Sequence, residues 1–318
     1  MKNYFIHSDN NKRYHTLSFY LKQKYGKKVI KVSLNGGFTC PNRDGTKGTG
    51  GCTYCSELGS GDFGGDPQKS IRDQFKEVRE KLAAKWPDAL YIPYFQAGTN
   101  TYAPLEKLKL LFEEALSIEN AVGLSVSTRP DCISEEIADY LKELSRRTFL
   151  TVELGLQTVH DITAEKINRC HSFDDFLRGY KMLSDRGINV CVHIINGLPC
   201  ENKEMMLETA RQVSLLKPHS VKIHLLHIIK GTRLAEQFIH GEFEEMSFED
   251  YIGTVCDQLE LLPPETVIQR LTGDGDRNTL IAPRWSLDKK RVMNGIDMEL
   301  ERRNSFQGKR YPCENLSL

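Results

Sequence analysis

The chain has no long apolar run. None of its 318 residues belongs to a stretch approaching the length needed to span a bilayer, and Met1 to Asn10 is polar, without the apolar core of a signal peptide. A soluble cytoplasmic protein is therefore expected. Net charge is also missing: 43 basic residues offset 43 acidic ones, which argues against a sequence-wide electrostatic grip on nucleic acid but leaves room for a local basic face. There is no repeat, low-complexity stretch or obvious linker. The nine cysteines are odd in number and irregular in spacing, which fits a reducing compartment better than a disulfide framework.

The most informative absence is a second CxxC. Cys52-Thr-Tyr-Cys55 has only Cys40 nearby, and no fourth cysteine follows until Cys132. A zinc knuckle needs four Cys or His ligands, which His15, His160, His171 or the later histidines would supply only from far along the chain. Three thiolates within 16 positions instead fit an iron–sulfur cluster with one iron left open. An open coordination position separates catalytic metal sites from structural ones. Gly36, Gly37, Gly45, Gly48, Gly50, Gly51, Gly59, Gly61, Gly64 and Gly65 crowd the same region, as expected of backbone that bends around a bound group. Cys132, Cys170, Cys191, Cys200, Cys256 and Cys313 stand singly and read as small buried hydrophobes.

What is present is an alternation. After an opening helix over Asn11–Lys24, stopped by Gly26, apolar runs at Lys28–Leu34, Leu90–Gln96, Ala121–Ser127, Thr148–Leu154, Ile188–Ile195 and His219–Leu226 alternate with segments of helical period. Such continuously apolar strands predict a parallel sheet covered by helices. Asp66-Pro67 reads as a helix start before Ile71, Phe75, Val78 and Leu82, Pro104 opens the next helix, and Ser172 with Asp175 forms a capping box for the one that Gly187 ends. The prediction is an α/β partial TIM barrel of about six βα units with a mostly helical C-terminal extension. Its parts are an N-terminal helical extension at 1–27, the barrel at 28–230 and the extension at 231–318. The last segment reads as helices near Arg233–His240 and Ser247–Leu262, a strand Thr266–Leu271, a loop Thr272–Pro283 and a helix Leu287–Asn304.

Past the strand ends the composition turns polar. Gln96-Ala97-Gly98-Thr99-Asn100-Thr101, Ser127-Thr128-Arg129-Pro130-Asp131, Glu153-Leu154-Gly155-Leu156-Gln157-Thr158 and Asn196-Gly197-Leu198-Pro199 each deliver polar or glycine residues to one rim. A rim of that kind is where barrel proteins bind ligands.

With Cys40, Cys52 and Cys55, with Gly36-Gly37-Phe38-Thr39, Asn168-Arg169-Cys170-His171, Arg270-Leu271-Thr272-Gly273 and the rim segments in this order, the chain resembles a radical S-adenosylmethionine (radical SAM) enzyme. Its closest resemblance is to the YtqA/YhcC group of the Elongator-like branch, from about Arg13 to Ala282-Pro283-Arg284-Trp285. The resemblance implies a [4Fe–4S] cluster on Cys40, Cys52 and Cys55, S-adenosylmethionine on the fourth iron, and a 5′-deoxyadenosyl radical that takes a hydrogen atom from an inert C–H bond. It implies contacts to that cofactor from Tyr54 near the adenine, Gly98 and Thr99 at the methionine amino group, and Gln157 and Arg169 at the ribose or carboxylate. The alternative reading of Gln157 and Arg169 is a rim hydrogen bond or a surface salt bridge, and Glu153 either meets the cofactor or pairs with Arg129. The group that abstracts the hydrogen is not assigned to any side chain. An external electron donor such as flavodoxin or ferredoxin is implied as well. The 11 residues between Cys40 and Cys52 exceed the commonest radical SAM spacing and suit the Elongator-like branch. At 318 residues no acetyltransferase domain is expected.

The same group is associated with tRNA wobble-uridine maturation, from carboxymethylaminomethyl to aminomethyl. Lys12-Arg13-Tyr14, Lys27-Lys28, Lys289-Lys290-Arg291, Arg302-Arg303 and Lys309-Arg310-Tyr311 are candidate RNA contacts, although interleaved Asp288, Asp297, Glu299 and Glu301 fit a helix laced with charge pairs equally. Lys222, His224 and His227 follow the alternation of the sixth strand. Two other readings stay open: a radical enzyme on a small, tetrapyrrole-like molecule, and a zinc-stabilised RNA-binding protein without catalysis.

Overall fold

The computed structural model describes residues 5–56, 59, 64–83 and 85–311; Gly61, Cys313 and the Leu82 side chain lie outside the described residues. In chain order come α1 (Leu17–Tyr25), β1 (Val29–Leu34), α2 (Ile71–Ala83), β2 (Leu90–Phe95), α3 (Leu105–Leu116), β3 (Gly123–Thr128), α4 (Glu135–Arg147) and β4 (Phe149–Gln157). There follow α5 (Asp161–Lys166), α6 (Phe173–Ser184), β5 (Asn189–Asn196), α7 (Lys203–Leu216), β6 (Ser220–Leu225) and β7 (Ile228–Ile229). The chain closes with α8 (Arg233–Ile239), α9 (Phe248–Leu261), β8 (Val267–Arg270), β9 (Leu280–Ala282) and α10 (Lys289–Arg302). Seven strands form one sheet in the order β1-β2-β3-β4-β5-β6-β8. Val29 to Leu34 pair in parallel with Leu90 to Phe95, and Gly123 to Thr128 with Phe149 to Leu154.

This is the α/β partial-barrel class that the alternation predicts, with one strand more than six. The extra strand is β8, which joins β6 in parallel. It is the strand expected at Thr266–Leu271, placed by the structure in the barrel sheet rather than in a separate extension. The predicted strands match because both of their faces are buried, one apolar, with Leu124 and Val126 of β3 and Val152, Leu154 and Leu156 of β4, and the other carrying buried polar residues such as Ser125, Thr151 and Glu153, which the apolar runs did not announce.

The chain divides into two compact units, one of Leu21–Leu156 with Asn168–Cys191, the other of the chain up to Tyr20 with Gln157–Ile167 and everything from Val192. In the first, Ser172 and Asp175 make the expected capping box and α6 buries Phe176, Tyr180 and Leu183. The start of α2 differs from expectation. Asp66 closes a local turn by accepting from the Gln68 amide at 3.0 Å, and Ser70 caps the helix by accepting from the Asp73 amide at 3.1 Å. An Asp-Pro pair serves an Asx turn as readily as a cap.

In the second unit the opening helix is shorter than its period predicts. Thr16 forms a parallel bridge to Ile268 and at the same time caps α1, its Oγ1 accepting from Phe19 N at 3.1 Å and its carbonyl from Tyr20 N at 3.0 Å, so the helix begins only at Leu17. The predicted loop at Thr272–Pro283 contains β9, antiparallel to β7. The charges of α10 are laced into pairs: Arg302 with Glu299 at 2.8 Å, Arg303 with Glu299 and Asp257 at 2.6 Å each, and Lys12 with Asp297. Among the described residues no helix is long and apolar enough to cross a membrane.

Candidate metal and cofactor site

The three cysteines sit on a loop after β1 that closes on itself through its backbone. Pro41 O accepts from Lys47 N at 2.8 Å and from Gly48 N at 3.2 Å, Asn42 O accepts from Gly51 N at 2.8 Å, and Cys52 O accepts from Cys55 N at 3.1 Å. Side chains then clip the loop from outside. Asn42 Nδ2 donates to Asn168 O at 2.5 Å and faces Cys52 Sγ at 3.6 Å, while Asn168 Nδ2 donates to Gly51 O at 2.7 Å. Gly48 must lack a side chain here: a Cβ would lie 2.3 Å from Asn42 Oδ1 and 2.8 Å from Cys170 Sγ.

The rim after β2 carries the loop's entry. Thr99 N donates to Thr39 O at 3.0 Å, and Gly98, at φ +73°, passes so close that a Cβ would meet Phe38 O at 2.4 Å. Asn100, fully buried, spends its Nδ2 on Ser127 O at 2.8 Å and Phe95 O at 3.2 Å. After β3, Arg129 chelates Asp131 at 2.9 and 3.0 Å and donates to the carbonyls of Arg169 at 2.8 Å and Cys170 at 3.0 Å. Lys47 of the cysteine loop binds the same Asp131 at 2.9 Å. Helix α6 lies on this turn at a glycine, since a Cβ on Gly179 would meet Pro130 O at 2.4 Å.

These contacts decide the electrostatics. The Cys52 thiol is pulled down to about 6 by a hydrogen bond from Cys55, against its burial, with help from the Arg129 charge, Tyr54 and Asn42. Burial raises the Tyr54 phenol well above its ordinary value, and the charges of Cys52 and Cys55 add to the effect. Cys132 is pushed up to about 12 by burial and by Asp131. His171 is brought down to about 3, first by burial and then by Arg169 and Arg129, so it stays neutral. Burial opposes ionisation of Asp131, yet Arg129 and Lys47 hold it below the usual carboxylate range.

A family model described as the radical SAM superfamily matches residues 40–213, and one for a radical SAM C-terminal domain matches 218–302. The chain belongs to the radical SAM superfamily. It is 51% identical to YtqA of Bacillus subtilis over 307 residues, 96% of this chain and 95% of YtqA. It is 31% identical over 157 residues to a tRNA uridine(34) acetyltransferase of Methanocaldococcus jannaschii, 48% of this chain and 28% of that protein. Its fold is shared with the archaeal Methanocaldococcus infernus Elp3, at TM-score 0.65 and 21% identity over 88% of this chain, which spans 64% of that one.

Radical SAM enzymes use a [4Fe–4S] cluster and S-adenosylmethionine, and the donor set on this loop fits them. Three thiols offer the soft ligands iron–sulfur clusters take, one of them ionised near neutral pH. Buried acceptors beside them, Asn42 Oδ1, Asn100 Oδ1 and Thr53 Oγ1, have no protein partner, as expected where a ligand supplies donors.

Of the residues singled out in the sequence, the fold brings Cys40, Cys52, Cys55, Tyr54 and Arg129 together and ties Gly98 and Thr99 to the loop's entry. Arg169 is fully buried and donates to His171 O at 2.8 and 3.0 Å and to Leu156 O. Glu153 does not pair with Arg129, whose carboxylate partner is Asp131; it bonds Lys31 at 2.5 Å and Ser125 at 3.1 Å. Gln157 ends β4 in the left-handed region, at φ +64°, a conformation non-glycine residues keep only where their surroundings enforce it. The isolated cysteines are not uniformly core: Cys191 and Cys256 are buried, Cys132 and Cys170 half-buried, and Cys200 is exposed with Lys166 Nζ 2.7 Å from its sulfur. Sequence reading missed Asn42, whose role as a clip depends on a partner 126 residues away.

Proposed function

We propose that Cys40, Cys52 and Cys55 hold the cluster of a radical SAM enzyme that matures tRNA wobble uridine, converting a carboxymethylaminomethyl group to aminomethyl. The similarity to a tRNA uridine(34) acetyltransferase carries the tRNA part of this reading. Bound cluster and S-adenosylmethionine would supply hydrogen abstraction at carbon, and the methylene between nitrogen and carboxylate, whose C–H bonds both neighbours weaken, would be the point of entry for removing that carbon fragment. The chain's own residues would hold and orient. Gly98 and Thr99 would present backbone and hydroxyl to the methionine amino group, with Asn100 Oδ1 as a further acceptor. Arg129, tied to Asp131 at 2.9 Å, would set a fixed positive charge beside the thiolates. Tyr54 would cover the cysteine side of the adenine, and Gln157, Glu153 and Arg169 would shape the rest of the pocket. Electrons would come from an external donor such as flavodoxin or ferredoxin.

Nucleoside mass spectrometry of tRNA from cells lacking the protein tests this. Carboxymethylaminomethyl-uridine should accumulate and aminomethyl-uridine derivatives should disappear. Unchanged wobble uridines would remove the substrate and leave the cluster chemistry to stand on its own assay.

A further inference from the structure

Within the second unit, the segment that runs into α5 is fastened to the turn and helix that follow β5. Thr158 Oγ1 donates to Glu201 Oε1 at 2.5 Å, Val159 N donates to Thr209 Oγ1 at 3.4 Å, and His160 Nε2 meets Met205 O at 3.0 Å. Ile167, fully buried just past α5, anchors the end of that helix and donates to Thr163 O at 3.0 Å. On the facing turn Leu198, also buried, accepts from Glu201 N at 3.1 Å.

That frame brings Lys166, the last residue of α5, to Cys200. Lys166 Nζ lies 2.7 Å from Cys200 Sγ, and both side chains are exposed. The separation is shorter than an ordinary N–H···O hydrogen bond, about 2.9–3.0 Å, although sulfur is a larger atom than oxygen. It is too long for a direct S–N bond. A single light atom bonded to both satisfies it, and oxygen has the valence to do so. Among the described residues no carboxylate competes for Lys166. Cys200 is held at φ +68°, in the left-handed region that favours glycine, so the turn keeps a thiol where glycine would sit with less strain. Accessible thiols are the ones that oxidise. Cys191 and Cys256 are buried and Cys132 and Cys170 half-buried, whereas Cys200 has both the exposure and a reactant beside it.

We propose that Cys200 and Lys166 are an oxidative modification site at which dioxygen joins thiol and amine through one oxygen atom, Cys200 Sγ–O–Nζ Lys166. One thiol, one neutral amine and one dioxygen give the bridge and one water. The S–H bond, one N–H bond and the O–O bond break, and an S–O and an O–N bond form. Sulfur and nitrogen each give up two electrons to dioxygen; one of its oxygen atoms stays in the bridge and the other leaves as water with both hydrogens. Two equivalents of a dithiol return the four electrons and release the thiol, the amine and a second water. The bridge pins the end of α5 to the turn after β5, and it does not depend on the tRNA reading.

The experiment keeps the full chain anaerobic with reductant or exposes it to dissolved dioxygen, then denatures it in an alkylating agent, digests it and weighs the peptides. After exposure, the peptides carrying Lys166 and Cys200 should be joined, heavier than their sum by one oxygen atom and lighter by two hydrogens. Dioxygen labelled with heavy oxygen should leave its label in the joined pair, and a dithiol should return both peptides with Cys200 open to alkylation. K166R, which keeps the charge, and C200S should each lose the joined pair. Cys200 remaining a free thiol in dioxygen would overturn the proposal, as would its recovery as a sulfinic acid or intermolecular disulfide with Lys166 free. So would a joined pair without the added oxygen, or Cys200 linked to other lysines in K166R. If either variant does not fold, the wild-type masses and label alone decide.

Discussion

Asn42 and Asn168 hold the cysteine loop between them: the Asn42 amide donates to the Asn168 carbonyl at 2.5 Å, and the Asn168 amide donates to Gly51 O at 2.7 Å. The second bond lands one residue before Cys52, so the position of that cysteine depends on a segment far along the chain. N42A should therefore retain less than half the wild-type iron after anaerobic reconstitution while its circular dichroism is unchanged, because each lost hydrogen bond is worth only about 1 kcal/mol against the whole fold. Wild-type iron in N42A would show that the clip is dispensable.

Cysteine substitutions should divide into two groups. C40S, C52S and C55S should each lose the cluster absorbance and most of the roughly four irons per chain that cysteine ligation implies. C132S and C170S, which remove half-buried thiols near the loop, should keep it. Iron retention in any of the first group, or its loss in both of the second, would contradict the assigned ligands.

The pair of Lys31 and Glu153 should behave as a unit, since Glu153 is fully buried and bonds Lys31 at 2.5 Å. E153Q should cost about 3 kcal/mol, the usual result of stranding one partner of a buried ion pair. K31M combined with E153Q should cost less than the two single changes added, by about 1–3 kcal/mol in a double-mutant cycle read from urea unfolding. Strict additivity would mean that the two groups do not support each other.

Acid should weaken the attachment at the end of α10. The Glu299 carboxyl is pulled from 4.5 down to about 2, chiefly by hydrogen bonds from Arg302 and Arg303 that outweigh its burial. A carboxylate with a depressed folded-state pKa contributes stability above its unfolded value and loses it as pH falls toward the folded one. The gap in melting temperature between wild type and E299Q should thus be constant near neutrality and close between pH 4.5 and about 2. A gap that does not change with pH would exclude the ion pairs as its cause.

The seven sheet strands, β8 among them as the strand expected at Thr266–Leu271, and the Ser172–Asp175 capping box were legible because each is a local pattern: apolar run, cap residue. Local signals also misled in places. Asn11 to Thr16 has helical period yet Thr16 pairs with Ile268, and Asp66 resembles a cap yet closes a turn. Backbone groups near an element's end go to whichever partner the fold brings close, and the sequence alone does not rank them.

Composition and spacing by themselves determined the alternating α/β order and the grouping of three cysteines on one loop after the first strand. The tertiary structure decided which charges meet. Glu153 went to Lys31 and Arg129 to Asp131, and a single inserted residue in β8 placed Arg270 opposite Lys222. Such pairings depend on register and on distances across many residues, and a shift of one position in a strand redirects every side chain it carries.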